Sequence, residues 1–389
     1  MSPTVPGARP APTPGPIGLP VMRPWEPSRV RFGETDRVNG TDLLTERLLR
    51  VIDEGRRSAT YKLALLLALI DAAALFPGAS TIPTRELAAL VLASYYPQTR
   101  IYVANDGVER ELRQINTKGS PPLRAALRLR LKGDAAGCRN ITEAKARIPE
   151  EYARALDAVE DTFVRYPIPL LQKVGTTTIP FLYAMDWPEG TSVARLRREG
   201  RDGVSFLAGV ADRLVVLGPL LRPLVELHWT RDVSRWTGVA TEDDRLRAHL
   251  FGTDRVAMSR VLRSGLADLQ DGACFYCGDR LSSVTQVDHF LAWSRWPNDA
   301  VENLVLADTC NGSKSNHLAA SEHLARWSQR LVGRSEGLAD LAASARWVTD
   351  PTRSRALIRS TYEHVPAGTP LWVSRGIFVA AEGPIAIPL

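Results

Sequence analysis

The most constraining stretch is Leu63–Phe76, a 14-residue run of Leu, Ala, Ile and Phe interrupted only by Asp71. A helix that is apolar on every side has to be surrounded by other elements. A bilayer span would need about 20 such residues, so the run is read as the central helix of a packed core, with no membrane partner. Pro77-Gly78 ends it, and Asp71 is expected to be a buried acid paired with a nearby arginine, with a functional carboxylate as the alternative. The neighbouring sequence supplies further helices. Leu43, Leu44, Leu48, Val51 and Ile52 recur at spacings of three and four behind Thr41, a suitable N-cap, and another helix is expected from Pro83 to Ser94.

A chain of 389 residues is long for one typical domain and short for three. Residues 1–27 hold 9 of the 27 prolines, so an extended, disordered arm is expected over 1–34. No basic-then-apolar leader opens the chain, which argues against secretion. Four cysteines are too few for a disulfide scaffold. Cys138 stands alone and three fall within Cys274–Cys310, the pattern of a metal site in a reducing, cytoplasmic compartment.

The formal charge is +6, and 43 of the 49 basic residues are arginine. Arginine's planar fork suits phosphate, although a GC-rich genome produces the same excess. Arg110, Arg113, Lys118, Arg124, Arg128, Arg130 and Lys132 form one basic stretch, and Arg195, Arg197, Arg198 and Arg201 a second. Each is able to follow a nucleic-acid backbone, and each reads equally well as a solvated helix face. Between them, Thr176–Ile179 and Phe181–Tyr183 have the β-branched and aromatic composition of short strands. No GxxxxGK[ST] loop and no GxGxxG after a strand occurs. From Thr241 to Leu269 the pattern is helical again, with Leu246, Leu250, Val256, Met258, Val261 and Leu262 as expected core.

The informative segment is CFYCGDRLSSVTQVDHFLAWSRWPNDAVENLVLADTCNGSKSNHL, Cys274 to Leu318. Cys274-x-x-Cys277-Gly is a knuckle whose thiolates are able to share a tetrahedral zinc. An alternating strand, Val284–His289, ends in Asp288-His289. A loop with Trp293 and Trp296 follows, the tryptophans expected to pack. Asn303 then starts a strand over Leu304–Ala307, and Cys310-Asn311 opens a helix expected to run through Lys314 and His317 towards Trp327.

In order and spacing, the pattern CxxCG…xDHxxxxS…ENLVxAxxCNxxKSxH resembles the HNH (His-Me finger) endonucleases in their zinc-knuckle version. The resemblance covers 44 of 389 residues. It implies a ββα-metal nuclease core and hydrolysis of phosphodiesters, most naturally in DNA. His289 would be the general base, since imidazole titrates near neutral pH. Asp288 and Asn311 would hold the catalytic Mg²⁺ or Mn²⁺, hard oxygen ligands for a hard cation. Asn303 would hold the loop and orient the histidine, while Lys314, and less directly His317, would contact the nucleic acid. Cys274, Cys277 and Cys310 would hold a structural Zn²⁺.

One departure stands out. The fuller family pattern has a second CxxC, and its first cysteine falls at Ala307. Zinc therefore has three evident thiolates and no evident fourth, with Asp308 a neighbouring candidate. His317, two helical turns or about 10 Å past Cys310, is too distant if both are helical.

The expected fold class is mainly α with a small α+β part. The helical region over 35–255 would select substrate or bind a protein or nucleotide-signal partner. A nuclease domain would span 256–331, and an extension over 332–389 would pack on it, with helices to Leu331, over Leu338–Val348 and over Arg353–Tyr362, and a strand in Leu371–Ala380. Restriction of foreign DNA or anti-phage defence is the role the resemblance suggests. An RNA-cutting or toxin-like nuclease, or an inactive zinc-knuckle module that binds nucleic acid, are the alternatives.

Overall fold

The helix expected across Tyr61–Phe76 spans Tyr61–Leu75, and every residue from Leu63 to Ala74 is buried. Helices Thr84–Tyr95, Val210–Thr237 and Pro351–Glu363 pack around it, the last drawn from the C-terminal part of the chain. In this computed structural model, residues 36–53, 57–104, 106–115, 120–174, 177–239, 244–252, 258–283 and 285–387 are described. The expected arm over 1–34 lies outside them. Leu44–Leu389 is one compact unit. The first helix, Asp36–Ile52, begins ahead of Thr41, which is therefore not its N-cap.

The architecture is mainly helical with small sheets, as expected. Asp71 pairs with Arg222 of the long Val210–Thr237 helix, both side chains nearly buried. That helix runs through Pro219 and Pro223. Each proline removes a backbone donor from the helical ladder. Gly218 lies in the same stretch, and Trp296 and Ile70 press against it. A Cβ placed on Gly218 would sit 3.0 Å from the Trp296 ring and 3.1 Å from Ile70. Arg222 also lies over the Trp296 ring, 5.6 Å from its centre. A missing side chain thus lets the 290–303 loop seat on the helical region.

Strand Gly203–Phe206 lies between Ile82–Pro83 and Tyr183–Ala184, antiparallel to both. The threonine-rich stretch gives only Thr177–Thr178, paired with Lys173–Val174; Thr176 is outside the described residues. In the next segment, helices Asp244–Phe251 and Arg260–Leu269 replace one continuous pattern. Leu246, Leu250 and Leu262 are buried, but Val261 is 50% exposed and not core, because it faces away from the Leu262–Leu266 side; Val256 is undescribed.

The strand–loop–strand unit after the cysteine knuckle is an antiparallel hairpin. Gln286–His289 pairs with Leu304–Ala307 in the register Gln286↔Ala307 and His289↔Leu304. Val284 lies outside the described residues. A helix over Thr309–Lys314 follows and stops at Ser315, whose φ is +49°. The expected continuation to Trp327 is therefore broken. A non-glycine residue in the left-handed region cannot propagate a right-handed helix, and the chain instead enters strand Leu318–Ala319 before helix Ser321–Gly333.

Strand Leu318–Ala319 runs parallel to Pro370–Ser374, which pairs with Ile377–Ala380. The expected single strand over Leu371–Ala380 is thus a hairpin, turning at Gly376 with φ +76°. Helices Ser335–Ala345 and Pro351–Glu363 complete the C-terminal region.

Gly218→Val is expected to cost about 1–3 kcal/mol through overpacking against Trp296 and Ile70, read as a lower urea midpoint. An unchanged midpoint would contradict this account of the loop's seating.

Candidate functional site

The hairpin carries a loop whose shape is set from inside. Asn303 is fully buried. Its Oδ1 accepts from Leu291 N at 2.8 Å, and its Nδ2 donates to Leu291 O at 3.1 Å and Asn298 O at 3.0 Å. Phe290 N donates to Asn303 O at 2.7 Å. One amide therefore satisfies three main-chain groups that would otherwise be buried unpaired. Asn298 continues the chain of contacts. Its Oδ1 accepts from Ala300 N, and its Nδ2 donates to Ser354 Oγ on the Pro351–Glu363 helix at 3.0 Å. Glu302 holds the 349–350 segment, accepting from Thr349 Oγ1 and Asp350 N.

His289 ends the first strand with its side chain 21% exposed. Its Nε2 lies 2.8 Å from Asp299 Oδ1, and Trp293 stands edge-on to the ring at 5.6 Å. The ring's polar partner is thus Asp299, whereas Asn303 was expected to orient it; Asn303 positions the loop that carries Asp299. A carboxylate only accepts, so Nε2 carries a proton, and in the neutral ring the lone pair lies on Nδ1. Trp347 Nε1 donates to Asp299 O at 2.7 Å and steadies that residue's backbone.

On the strand's other face, Gln286 and Asp288 look towards the Thr309–Lys314 helix. Asn311 Nδ2 donates to Gln286 Oε1 at 2.6 Å. Lys314 is fully buried, its Nζ 3.0 Å from Asp288 Oδ2 and 3.1 Å from His289 O. Tyr276 OH donates to the same Asp288 Oδ2 at 2.5 Å, and burial, then the carboxylate, hold that phenol well above its usual range. The ammonium of Lys314 therefore points inward, away from any phosphate outside, because the Asp288 carboxylate would otherwise be buried without a counter-charge. Oδ1 of Asp288 and Oδ1 of Asn311 accept no hydrogen bond from a described residue. Carboxylate and amide oxygens are the ligand types that a hard divalent cation takes.

The sulfurs of Cys274, Cys277 and Cys310 lie within 4.8 Å of one another. Tetrahedral zinc with bonds of about 2.3 Å holds its sulfurs about 3.8 Å apart, so the cluster fits a metal ion. The knuckle closes through Cys274 N to Asp279 O at 2.7 Å, with Gly278 at φ +79°. Burial opposes ionisation of Cys274, but the N–H groups of Cys277, Asp308 and Tyr276 outweigh it and lower the thiol's pKa. Cys310 is pushed up to about 12 by burial and by its two sulfur neighbours. A cation among the three sulfurs would favour their ionised forms, and the cluster is able to hold one.

Asp308 is not placed as a fourth ligand. Its carboxylate accepts from Ser282 N and Thr285 Oγ1, tying down the loop before the hairpin. His317 is exposed beyond the helix end and packs edge-on to Phe378 at 4.8 Å.

Among the basic clusters, Arg195 and Arg201 pair with Glu199, Arg197 with Glu160 and Arg110 with Asp106. Much of that charge is neutralised within the fold. Asp299 and Tyr276 are the site residues that spacing did not reveal. One sits in an irregular loop, and the other is an aromatic between two cysteines that reads as packing.

The chain belongs to the family described as a domain of unknown function, DUF8808, whose model matches residues 40–250. The cysteine cluster and the hairpin lie beyond the matched range. No curated protein and no solved structure matches the chain.

Removing Lys314 alone (Lys314→Met) leaves the Asp288 carboxylate buried without its cation. The expected cost is about 3–5 kcal/mol, much of it recovered in the Asp288→Asn/Lys314→Met double variant. Denaturant unfolding of all three forms measures the coupling, and additive effects would contradict the pair. For the thiolates, the purified chain is expected to carry one zinc by elemental analysis. Cys274→Ser should lose that zinc together with several degrees of Tm; a wild-type chain without zinc would contradict the assignment.

Proposed function

We propose that this chain is a metal-dependent endonuclease that hydrolyses phosphodiester bonds, with DNA as substrate. The observation that carries the reading is the placement of Asp288, His289 and Asn311 on one hairpin and its following helix, beside a loop fixed by Asn303. The resemblance of Cys274–His317 to the HNH endonucleases supports it, and the same resemblance suggests restriction of foreign DNA or anti-phage defence in the cytoplasm.

In this reading His289 Nδ1 takes a proton from water while Asp299 holds Nε2–H and stabilises the imidazolium that forms. The water oxygen adds to phosphorus, and the bond from phosphorus to the 3′ oxygen breaks. Asp288 and Asn311 would hold Mg²⁺ or Mn²⁺, which when bound offsets the charge gained by the phosphate and the leaving oxygen. Cys274, Cys277 and Cys310 would hold Zn²⁺ and brace the second strand, where Phe275 N donates to Leu306 O at 2.9 Å.

A second reading has one observation in its favour. The ammonium of Lys314 already neutralises Asp288, as suits a module that binds nucleic acid without cutting it.

Supercoiled plasmid incubated with Mg²⁺ or Mn²⁺, and with EDTA, separates the two. The wild-type chain is expected to nick it only with metal. His289→Ala should lower the rate about 10²–10⁴-fold, with partial rescue by added imidazole. Asp299→Ala should lose about 10–100-fold in kcat with little change in KM. Cleavage of RNA but not plasmid would move the substrate; retained binding with no cleavage of either would favour the second reading.

A further inference from the structure

A cleft of about 380 Å³ opens between the helical region and the 290–303 loop. Helices Val210–Thr237 and Asp244–Phe251 contribute Glu226, Arg247 and Phe251 to its walls, and the loop contributes Trp293 and Pro297. Its volume falls in the range of small-ligand sites. Arg222 borders it as well, but that guanidinium is held by Asp71 and lies over Trp296.

Trp293 links the cleft to the proposed chemistry. Its ring stands edge-on to His289 at 5.6 Å, so a group in the cleft lies next to whatever His289 acts on. Both loop tryptophans were expected to pack, and Trp296 does, at 1% exposure. Trp293 is only partly buried, and together with Phe251 it gives the cleft aromatic walls suited to a flat ring. Phe251 is itself held edge-on by the buried Trp229 at 5.4 Å.

One wall carries an ion pair with capacity left over. Arg247 Nη2 donates to Glu226 Oε2 at 2.9 Å. Oε1 of the same carboxylate accepts from no described residue and remains accessible. The Arg247 side chain is 44% exposed, and its other N–H groups have no described acceptor. The polar groups therefore run in a fixed order, with the unused acceptor Oε1, the acceptor Oε2, then the donor Arg247.

That order selects among bases. Guanine presents an amino donor, a ring N–H donor and a carbonyl acceptor in sequence along its Watson–Crick edge, the complement of the wall. Adenine and cytosine would turn a ring-nitrogen lone pair, and thymine or uracil a carbonyl, against the carboxylate. Each such contact leaves polar groups desolvated and unpaired, which is costly. Enzymes that read a base outside its stack combine edge hydrogen bonds of this kind with aromatic walls.

We propose that this cleft holds a guanine base of the strand being cut, stacked on Trp293 and bound at its edge by Glu226 and Arg247. The substrate is then a guanine-bearing strand, single or with that base turned out of its duplex. The placement beside the scissile phosphate rests on the nuclease reading, whereas the recognition of guanine does not. The helical region thereby supplies base selectivity to the hairpin.

Fluorescence anisotropy on the full chain, without added Mg²⁺ or Mn²⁺, measures binding apart from cleavage. The probes are labelled thymidine oligonucleotides with a central guanine, inosine or adenine, with GMP as a competitor. The guanine strand should bind at least about ten-fold tighter than the adenine strand, and the inosine strand, lacking the amino group, should fall between. Glu226→Gln keeps an acceptor for Arg247 and should abolish the preference while leaving Tm and adenine-strand binding unchanged. Trp293→Leu should weaken guanine-strand binding about ten-fold. With Mn²⁺ added, the wild-type chain should cut beside guanine, and Glu226→Gln without regard to it. Equal binding of the guanine and adenine strands, or an undiminished preference in Glu226→Gln, would overturn the proposal, and cleavage at unselected positions would then leave the nuclease reading standing. Guanine-selective binding with no cleavage would keep the cleft and overturn the nuclease instead. GMP competing more strongly than the unlabelled strand would overturn the strand as the source of the guanine.

Discussion

Asn303 has no exposed surface and spends its whole amide on the main chain of Leu291 and Asn298. The 290–303 loop has no ladder of its own, so these bonds determine where its backbone runs. Much else follows from that path. Trp296 is delivered onto Gly218 of the long helix, and Asn298 onto Ser354 of the C-terminal helix. Asp299 arrives beside the His289 ring. The helical region, the hairpin and the C-terminal helices are joined through one loop, and that loop is shaped by one side chain.

The opposite face of the hairpin is governed by charge. A lysine with no exposed surface is rare unless paired, and Lys314 is paired with Asp288 at 3.0 Å. The desolvation of two ions is offset only when geometry and extra hydrogen bonds are good. Here Tyr276 and the His289 carbonyl supply those bonds. The same arrangement fixes the position of Asp288 in advance, with one oxygen turned inward and the other left without a described donor. A divalent cation arriving at Oδ1 would meet a carboxylate already oriented, with a positive charge nearby. In the proposed reading such a site would bind metal less tightly than a bare carboxylate would.

Much of this was legible in the sequence where spacing carries geometry. The all-apolar run gave the central helix, and Asp71 found its arginine in Arg222. Cys274, Cys277 and Cys310 converge, as the resemblance implied. The hairpin and the start of its helix fall at Asp288-His289, Asn303 and Cys310-Asn311. What escaped was set by tertiary contact. Helical pattern continued past Lys314, but Ser315 breaks it so that Leu318–Ala319 can join a sheet with Pro370–Ser374. Lys314 looked like a surface cation, because nothing local says that Asp288, 26 positions earlier, is buried beneath it. Asp299 lies in an irregular loop with no period to mark it, and only the clamp at Asn303 brings it to the histidine.

The central claim is that Asp288 and Asn311 form a cation site beside His289. Crystals of the chain soaked in Mn²⁺ and measured for anomalous scattering test it most directly. The account predicts a manganese peak in reach of Asp288 Oδ1 and Asn311 Oδ1, separate from the zinc signal at the cysteines. Manganese absent there, at concentrations that saturate any activity, with Asp288 still held by Lys314, would contradict it.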